Sequence, residues 1–232
     1  MDASDFKRAR TAAGLSQQEA AAHLGVSQSY LSMLENSERP LFPQLSRRMV
    51  RVYKLPAAAL PPSHQRWLPK RVRPGQLAAD LAGLGYPGFA HLRKQRSRLN
   101  PGEVLLTALS QESLEARAFE ALPWLVLEYW NLDRNWLAEQ AKLHDLQNRL
   151  GFVVSLARKA GRRANRKNPP REGALQELES TLKRSLLARE EPLGKSQLSE
   201  AEYIWLNKHR TKDAREWHLL TDWRPEVLRY VA

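Results

Sequence analysis

Apolar side chains return along most of this chain at steps of three and four residues, and the period-two alternation of β-branched residues that marks a strand is almost absent. Over 101–163 one series runs Leu105, Leu106, Leu109, Leu114, Ala118, Leu122, Leu125, Val126 and Tyr129. A second runs Leu137, Ala141, Leu143, Leu146, Leu150, Val153, Leu156 and Ala157. Such spacing turns one stripe of each helix toward a core, so it predicts two or three helices packed on one another, broken near Pro123 and near Asn131-Leu132-Asp133. Gly151 either closes a helix or allows a close helix contact. Leu175, Leu178, Leu182, Leu186 and Leu187 extend the pattern into one long helix over 172–190, whose stripe covers the preceding bundle or faces a second copy of itself. Residues 4–60 read as five short helices and 75–84 as one more. The expected fold class is all-α.

Aromatic residues add to that picture. Trp124, Trp130 and Trp136 recur at a spacing that is not a helical face, so they are expected to fill separate positions around a bend. The end of the chain, 198–230, carries Tyr203, Trp205, Leu206, Trp217, Leu219, Leu220, Trp223 and Tyr230. That much apolar surface must be covered, by the middle bundle or by a partner.

Charge divides the chain further. The 232 residues carry 37 Lys or Arg against 25 Asp or Glu, a formal net charge of +12. The excess is concentrated: 1–61 holds 8 basic and 5 acidic groups, 62–100 holds 8 and 1, and 158–171 holds 7 and none, while 101–157 is acidic with 4 and 8. The stretches Arg66 to Pro74 and Arg162 to Arg171 mix prolines with dense positive charge, a composition that resists core packing and suits either a solvated linker or a phosphate backbone. The expected organisation is therefore a head over 1–61, a basic proline-containing connector with a short helix over 62–100, a helical bundle over 101–163, and a C-terminal helical region for dimerisation or partner binding over 172–232. The absence of Cys excludes disulfides and a cysteine nucleophile. No apolar run reaches the roughly 18 residues of a membrane span and the charged start lacks a signal-peptide core, so a cytoplasmic protein without membrane association is expected.

The most informative segment runs from Leu15 to Asn36. Ser16 and Glu19 form a capping box, which starts a helix at Gln17 with Ala20, Ala21 and Leu24 on its buried side. Gly25 ends it by tolerating positive φ, Val26 plugs the gap, and Ser27 caps a second helix whose inner side is Leu31 and Leu34. A small residue such as Ala21 lets two steeply crossed helices approach. Gln28, Ser29 and Ser32 then point outward from the first turns of the second helix, short enough to enter a groove end-on. Gln28 can donate and accept together, which suits the N6/N7 edge of adenine, and the serines can bond to bases or backbone.

Residues 6–60 resemble the lambda-repressor-like, or XRE-type, helix-turn-helix domain, a five-helix module whose members act mostly as dimeric repressors or as antitoxins. The resemblance implies that Gln28, Ser29 and Ser32 read bases, and that Gln17, Asn36 and Arg39 contact the DNA backbone. It implies that Arg10 and Glu35 pair as a structural tie, beside the structural positions Ala21, Gly25 and Val26. Ala20 stands where the family usually has Leu, and Arg47, Arg48 and Arg51 make the fourth helix unusually basic. The rest of the chain resembles accessory helical regions of such regulators only weakly.

Nothing else converges on chemistry. Lys142, His144, Asp145, Gln147, Asn148 and Arg149 form the densest polar patch outside the head, with Asp145 and Arg149 spaced to pair on one helical face. It reads as a surface or interhelical network. The histidines at 23, 64, 91, 144, 209 and 218 show no metal-ligand spacing, and phosphate-loop, nucleophile-elbow and zinc-protease motifs are missing. An enzyme, a metal site and a cofactor are therefore not expected. The expected function is a sequence-specific double-stranded DNA-binding transcriptional regulator, a homodimeric repressor. The alternative is an antitoxin whose C-terminal helices neutralise a toxin partner while its head autoregulates.

Overall fold

A computed structural model describes residues 3–55, 57–59, 67–73, 75–93, 99–165, 168–195 and 197–231. His64, Arg66, Pro74, Arg166 and Lys167, and the expected boundary at 61–62, lie outside the described residues. The chain is mostly helical and divides into two compact units, residues 1–65 and 66–232.

In the first unit α1 (Ala3–Ala12), α2 (Gln17–Leu24), α3 (Gln28–Glu35) and α4 (Pro43–Val52) precede a short 3-10 turn at Ala57–Ala59. Of the expected fifth helix, only that turn lies among the described residues. The core is built from Phe6, Ala20, Leu24, Leu31, Leu34, Met49 and Tyr53, with Leu15, Val26 and Tyr30 packed partly against it.

The second unit is organised around α9 (Gln147–Arg163). Leu150, Phe152, Val153, Val154, Leu156, Ala157 and Ala160 are all buried, so this helix is enclosed on nearly every side, as a central element must be. The unit's other helices are α5 (Gln76–Leu84), α6 (Pro101–Leu109), α7 (Ala116–Glu128), α8 (Arg134–Leu143), α10 (Pro169–Lys183), α11 (Glu200–His209) and α12 (Lys212–Glu216), of which α6, α7, α8, α10 and α12 pack against α9. One two-residue parallel pair joins β1 (Glu191–Pro192) to β2 (Leu219–Leu220). Gly151 lies inside α9 and serves close contact: a Cβ there would sit 2.1 Å from the Trp217 ring. Trp217 and Trp124 are buried, whereas Trp130 and Trp136 are half-buried.

Several expectations are corrected here. Pro123 does not break a helix but sits inside α7, where the buried neighbours Phe119, Leu122, Trp124 and Val126 hold the helix despite the missing N–H. The long helix expected over 172–190 starts earlier, capped by Asn168 and led by Pro169, and stops at Lys183. Beyond it the Leu187 backbone is held from both sides by the Asn148 amide, at 2.9 and 3.0 Å, which competes with further helix. Asp145 and Arg149 do not pair, because the turn between α8 and α9 separates them. Asp145, at φ 57°, accepts from Arg189 at 3.3 Å, while Arg149 bonds Glu191 and the Leu109 carbonyl, each at 2.8 Å.

The basic segments are also more engaged than a free linker. Trp67 is buried and its N–H donates to Gln140 at 2.9 Å, His144 contacts the Trp67 carbonyl at 2.8 Å, and α5 contributes Leu77 and Leu81 to the core. The described part of 66–93 therefore belongs to the same unit as 101–232. In the other stretch Arg158 pairs with Glu172 and Glu179, Arg162 with Glu172, Lys159 with Asp213 and Arg163 with Glu226. The guanidinia outweigh the opposing effect of burial and hold the Glu172 carboxyl below the usual range.

Candidate nucleic-acid interface

The candidate surface is set by three helix ends. At the start of α2 the Ser16 hydroxyl accepts from the Glu19 N–H at 3.2 Å while the Glu19 carboxylate accepts from the Ser16 N–H at 2.8 Å. Hydrogen bonding from the Ser16 side chain and N–H favours the charged carboxylate and lowers its pKa. At its other end Gly25 adopts φ 66°, and the N–H groups of Gly25 and Val26 return to the carbonyls of Ala22 and Ala21 at 3.2 and 3.1 Å. Ser27 then starts α3 by accepting from the Tyr30 N–H at 3.2 Å. Each of these bonds is local, so a few residues of sequence fix the direction in which α3 leaves the turn.

Arg48 contributes a fourth fastening that sequence reading missed. Its Nη1 donates to the Leu24 carbonyl at 2.6 Å, so a residue counted as surplus charge on α4 closes the C-terminus of α2. The only sequence signal is its place on a basic helix, which does not distinguish it from Arg47 and Arg51.

Behind α3, Arg10 donates to both oxygens of Glu35, at 2.7 and 3.1 Å, and to the Leu15 carbonyl at 2.8 Å. The hydrogen bonds to Glu35 raise the Arg10 pKa above its ordinary value, against the effect of burial. Gln17 joins this cluster, its Nε2 donating to Glu35 at 3.2 Å. Its expected role on the DNA backbone is therefore narrowed. One amide hydrogen is spent on the ion pair, and a phosphate contact from Gln17 must use the other. Tyr53, buried nearby, has no hydrogen-bond partner for its hydroxyl among the described residues, and burial pushes its pKa up to about 12.

In front of this scaffold the side chains of Gln28 and Ser29 are exposed, and Ser32 is half-exposed one turn further on. Ser29 shares a 3.2 Å contact with the capping hydroxyl of Ser27, whereas the Gln28 amide has no partner among the described residues. Asn36 and Arg39, in the loop after α3, are exposed, as are Arg47 and Arg51, spaced one helical turn apart on α4. None of these three arginines forms an ion pair among the described residues. Buried Ala20 and Ala21 and half-buried Val26 lie on the opposite side, in the core.

Polar side chains at the N-terminus of a scaffolded helix, flanked by unpaired cations, can bond to base edges and phosphates. Among the described residues no His, Cys, Asp or Glu cluster could hold a metal ion, and no helix is long and apolar enough to cross a membrane.

Residues 3–62 match the family model described as "Helix-turn-helix domain". This segment is a helix-turn-helix of the lambda-repressor-like kind, and it places the chain among DNA-binding regulators in general. No curated protein and no solved structure matches the chain.

Proposed function

We propose that the protein is a sequence-specific double-stranded DNA-binding regulator that acts as a dimeric repressor and inserts the N-terminal end of α3 into the major groove. The observation that carries this reading is the Gln28 amide, exposed and without an intramolecular partner on a helix whose rear is fixed by Ser27, Glu35 and Leu31. A free amide pays no internal hydrogen bond when it meets an adenine edge. Ser29 and Ser32 add adaptable contacts, and Asn36, Arg39 and one Gln17 hydrogen set backbone register. Arg47 and Arg51 supply further phosphate contacts.

One head of this size buries too little surface for strong discrimination among genomic sites, so the reading includes two linked heads on a palindromic site. Repression follows from occupying that site. Selection of duplexes from a random library by the full chain, followed by mass measurement on the winning sequence, tests it. Enrichment of two symmetric half-sites with two chains bound is the expected result, and no enrichment over random duplex contradicts it.

A further inference from the structure

Among the described residues of the second unit, α11 is the one α-helix that buries none of its residues. It is nevertheless apolar at its centre: Tyr203 is 46% exposed, Ile204 61% and Trp205 48%. One side of it, carrying Ala201, Glu202, Trp205 and Leu206, lines a cavity of about 580 Å³ that also touches Phe119 and Trp223. At about 100° per residue, Glu200, Tyr203, Ile204, Asn207 and Lys208 fall on the opposite side, and all five are exposed.

The charges on that outward side have a symmetry of their own. Glu200 lies one turn before Ile204 and Lys208 one turn after it, and neither forms an ion pair among the described residues. The carboxylate that caps the helix is Glu202, engaged by Ser199 and Lys195, so Glu200 is not needed for that task. A two-fold axis through Ile204 laid across two antiparallel copies of α11 sets Ile204 against Ile204, and each Glu200 against the other copy's Lys208. An isologous contact requires this self-complementarity. A membrane surface would instead favour cations along the whole stripe, whereas a second antiparallel copy meets an acid with a base at both ends of the contact.

We propose that this face of α11 is where a second copy of the chain docks, through antiparallel pairing centred on Ile204. The proposal rests on the dimeric reading of the regulator and names its contact surface. A single pair of short helices covers far less than the usual interface of about 1,600 Å², so the contact is weak in free solution. It gains when a palindromic duplex holds two heads and raises the effective concentration of one α11 at the other.

The test is sedimentation of the full chain across a concentration series, for the wild type, Glu200→Lys, Lys208→Glu and the double variant, with far-UV circular dichroism to check helix content. All the altered positions are exposed, so the fold is expected to persist. Each single reversal turns two attractive pairs repulsive and should weaken self-association about tenfold. The double variant exchanges the charges and should restore it. A wild type that stays monomeric throughout, singles that sediment like the wild type, or a double variant no better than the singles each overturn the proposal. Binding of every variant to a duplex carrying one half-site is measured alongside and should not change. A chain that pairs through α11 but ignores all duplexes refutes the head reading alone, whereas one that selects a duplex but is insensitive to these charges refutes the α11 contact alone.

Discussion

Helices α3 and α11 both present side chains to solvent, but in opposite chemistry and on opposite foundations. The rear of α3 is anchored by buried Leu31, Leu34 and Glu35, and what it shows outward is short and polar, Gln28 and Ser29. The second helix has no buried residue and shows Tyr203, Ile204 and Trp205. A polar tip on a fixed base is complete in water and ready to exchange its water for bases. An exposed apolar face such as that of α11 is incomplete until something covers it. The first presents polar groups to water from a buried base, whereas the second rests its inner side on its own unit and leaves an apolar outward face uncovered.

The comparison breaks most severely if the base of α3 is removed. Glu35→Ala leaves the Arg10 guanidinium largely buried and without its carboxylate, and frees the Gln17 amide, so the first unit should lose about 3–5 kcal/mol in urea unfolding while charge-dependent association through α11 is unchanged. Unchanged unfolding would mean that the ion pair does not hold α3.

A somewhat smaller effect comes from Tyr53. Its pKa rises from 10.0 to about 12 on folding, so the folded state keeps the proton longer than the unfolded chain. The associated stabilisation is full below pH 10 and is lost as pH climbs toward 12, a decline of about 2–3 kcal/mol in the first unit. Tyr53→Phe should remove that decline and, because the hydroxyl has no partner among the described residues, change stability at neutral pH little or in the favourable direction. A variant with the same alkaline decline as the wild type would assign it to other groups.

Gly25→Ala probes the turn itself. With φ at 66° an added Cβ strains the backbone, and it would lie 3.3 Å from the movable end of Arg48, so a loss of about 1 kcal/mol is expected, read from thermal unfolding. Gln28→Ala should be smaller still for stability, within about 0.5 kcal/mol, because the side chain is exposed and its amide has no hydrogen-bond partner among the described residues.

What was legible in the sequence follows the same division. Ser16, Glu19, Gly25 and Ser27 announce α2, the turn and α3 because caps and positive φ are satisfied within four residues of chain. Features decided by distant contacts were not legible. Pro123 is tolerated in α7 only through its buried surroundings, and α10 ends where Asn148 claims the Leu187 backbone. The spacing of Asp145 and Arg149 suggested a pair until a turn intervened and Arg189 and Glu191 took them instead. Within the site the same limit hid Gln17's bond to Glu35, 18 residues away, and Arg48's bond to Leu24, 24 residues away.

The most direct test of the central claim compares the wild type with Gln28→Ala and Arg39→Ala on a selected duplex and on its single-base variants, over a range of salt. Gln28→Ala should lose about 1–3 kcal/mol on the selected sequence and lose its preference at one base pair per half-site. Arg39→Ala should weaken binding to all sequences alike and flatten the salt dependence. If Gln28→Ala lowers affinity for selected and random duplex by the same factor, with no base position relaxed, then α3 does not read DNA through Gln28.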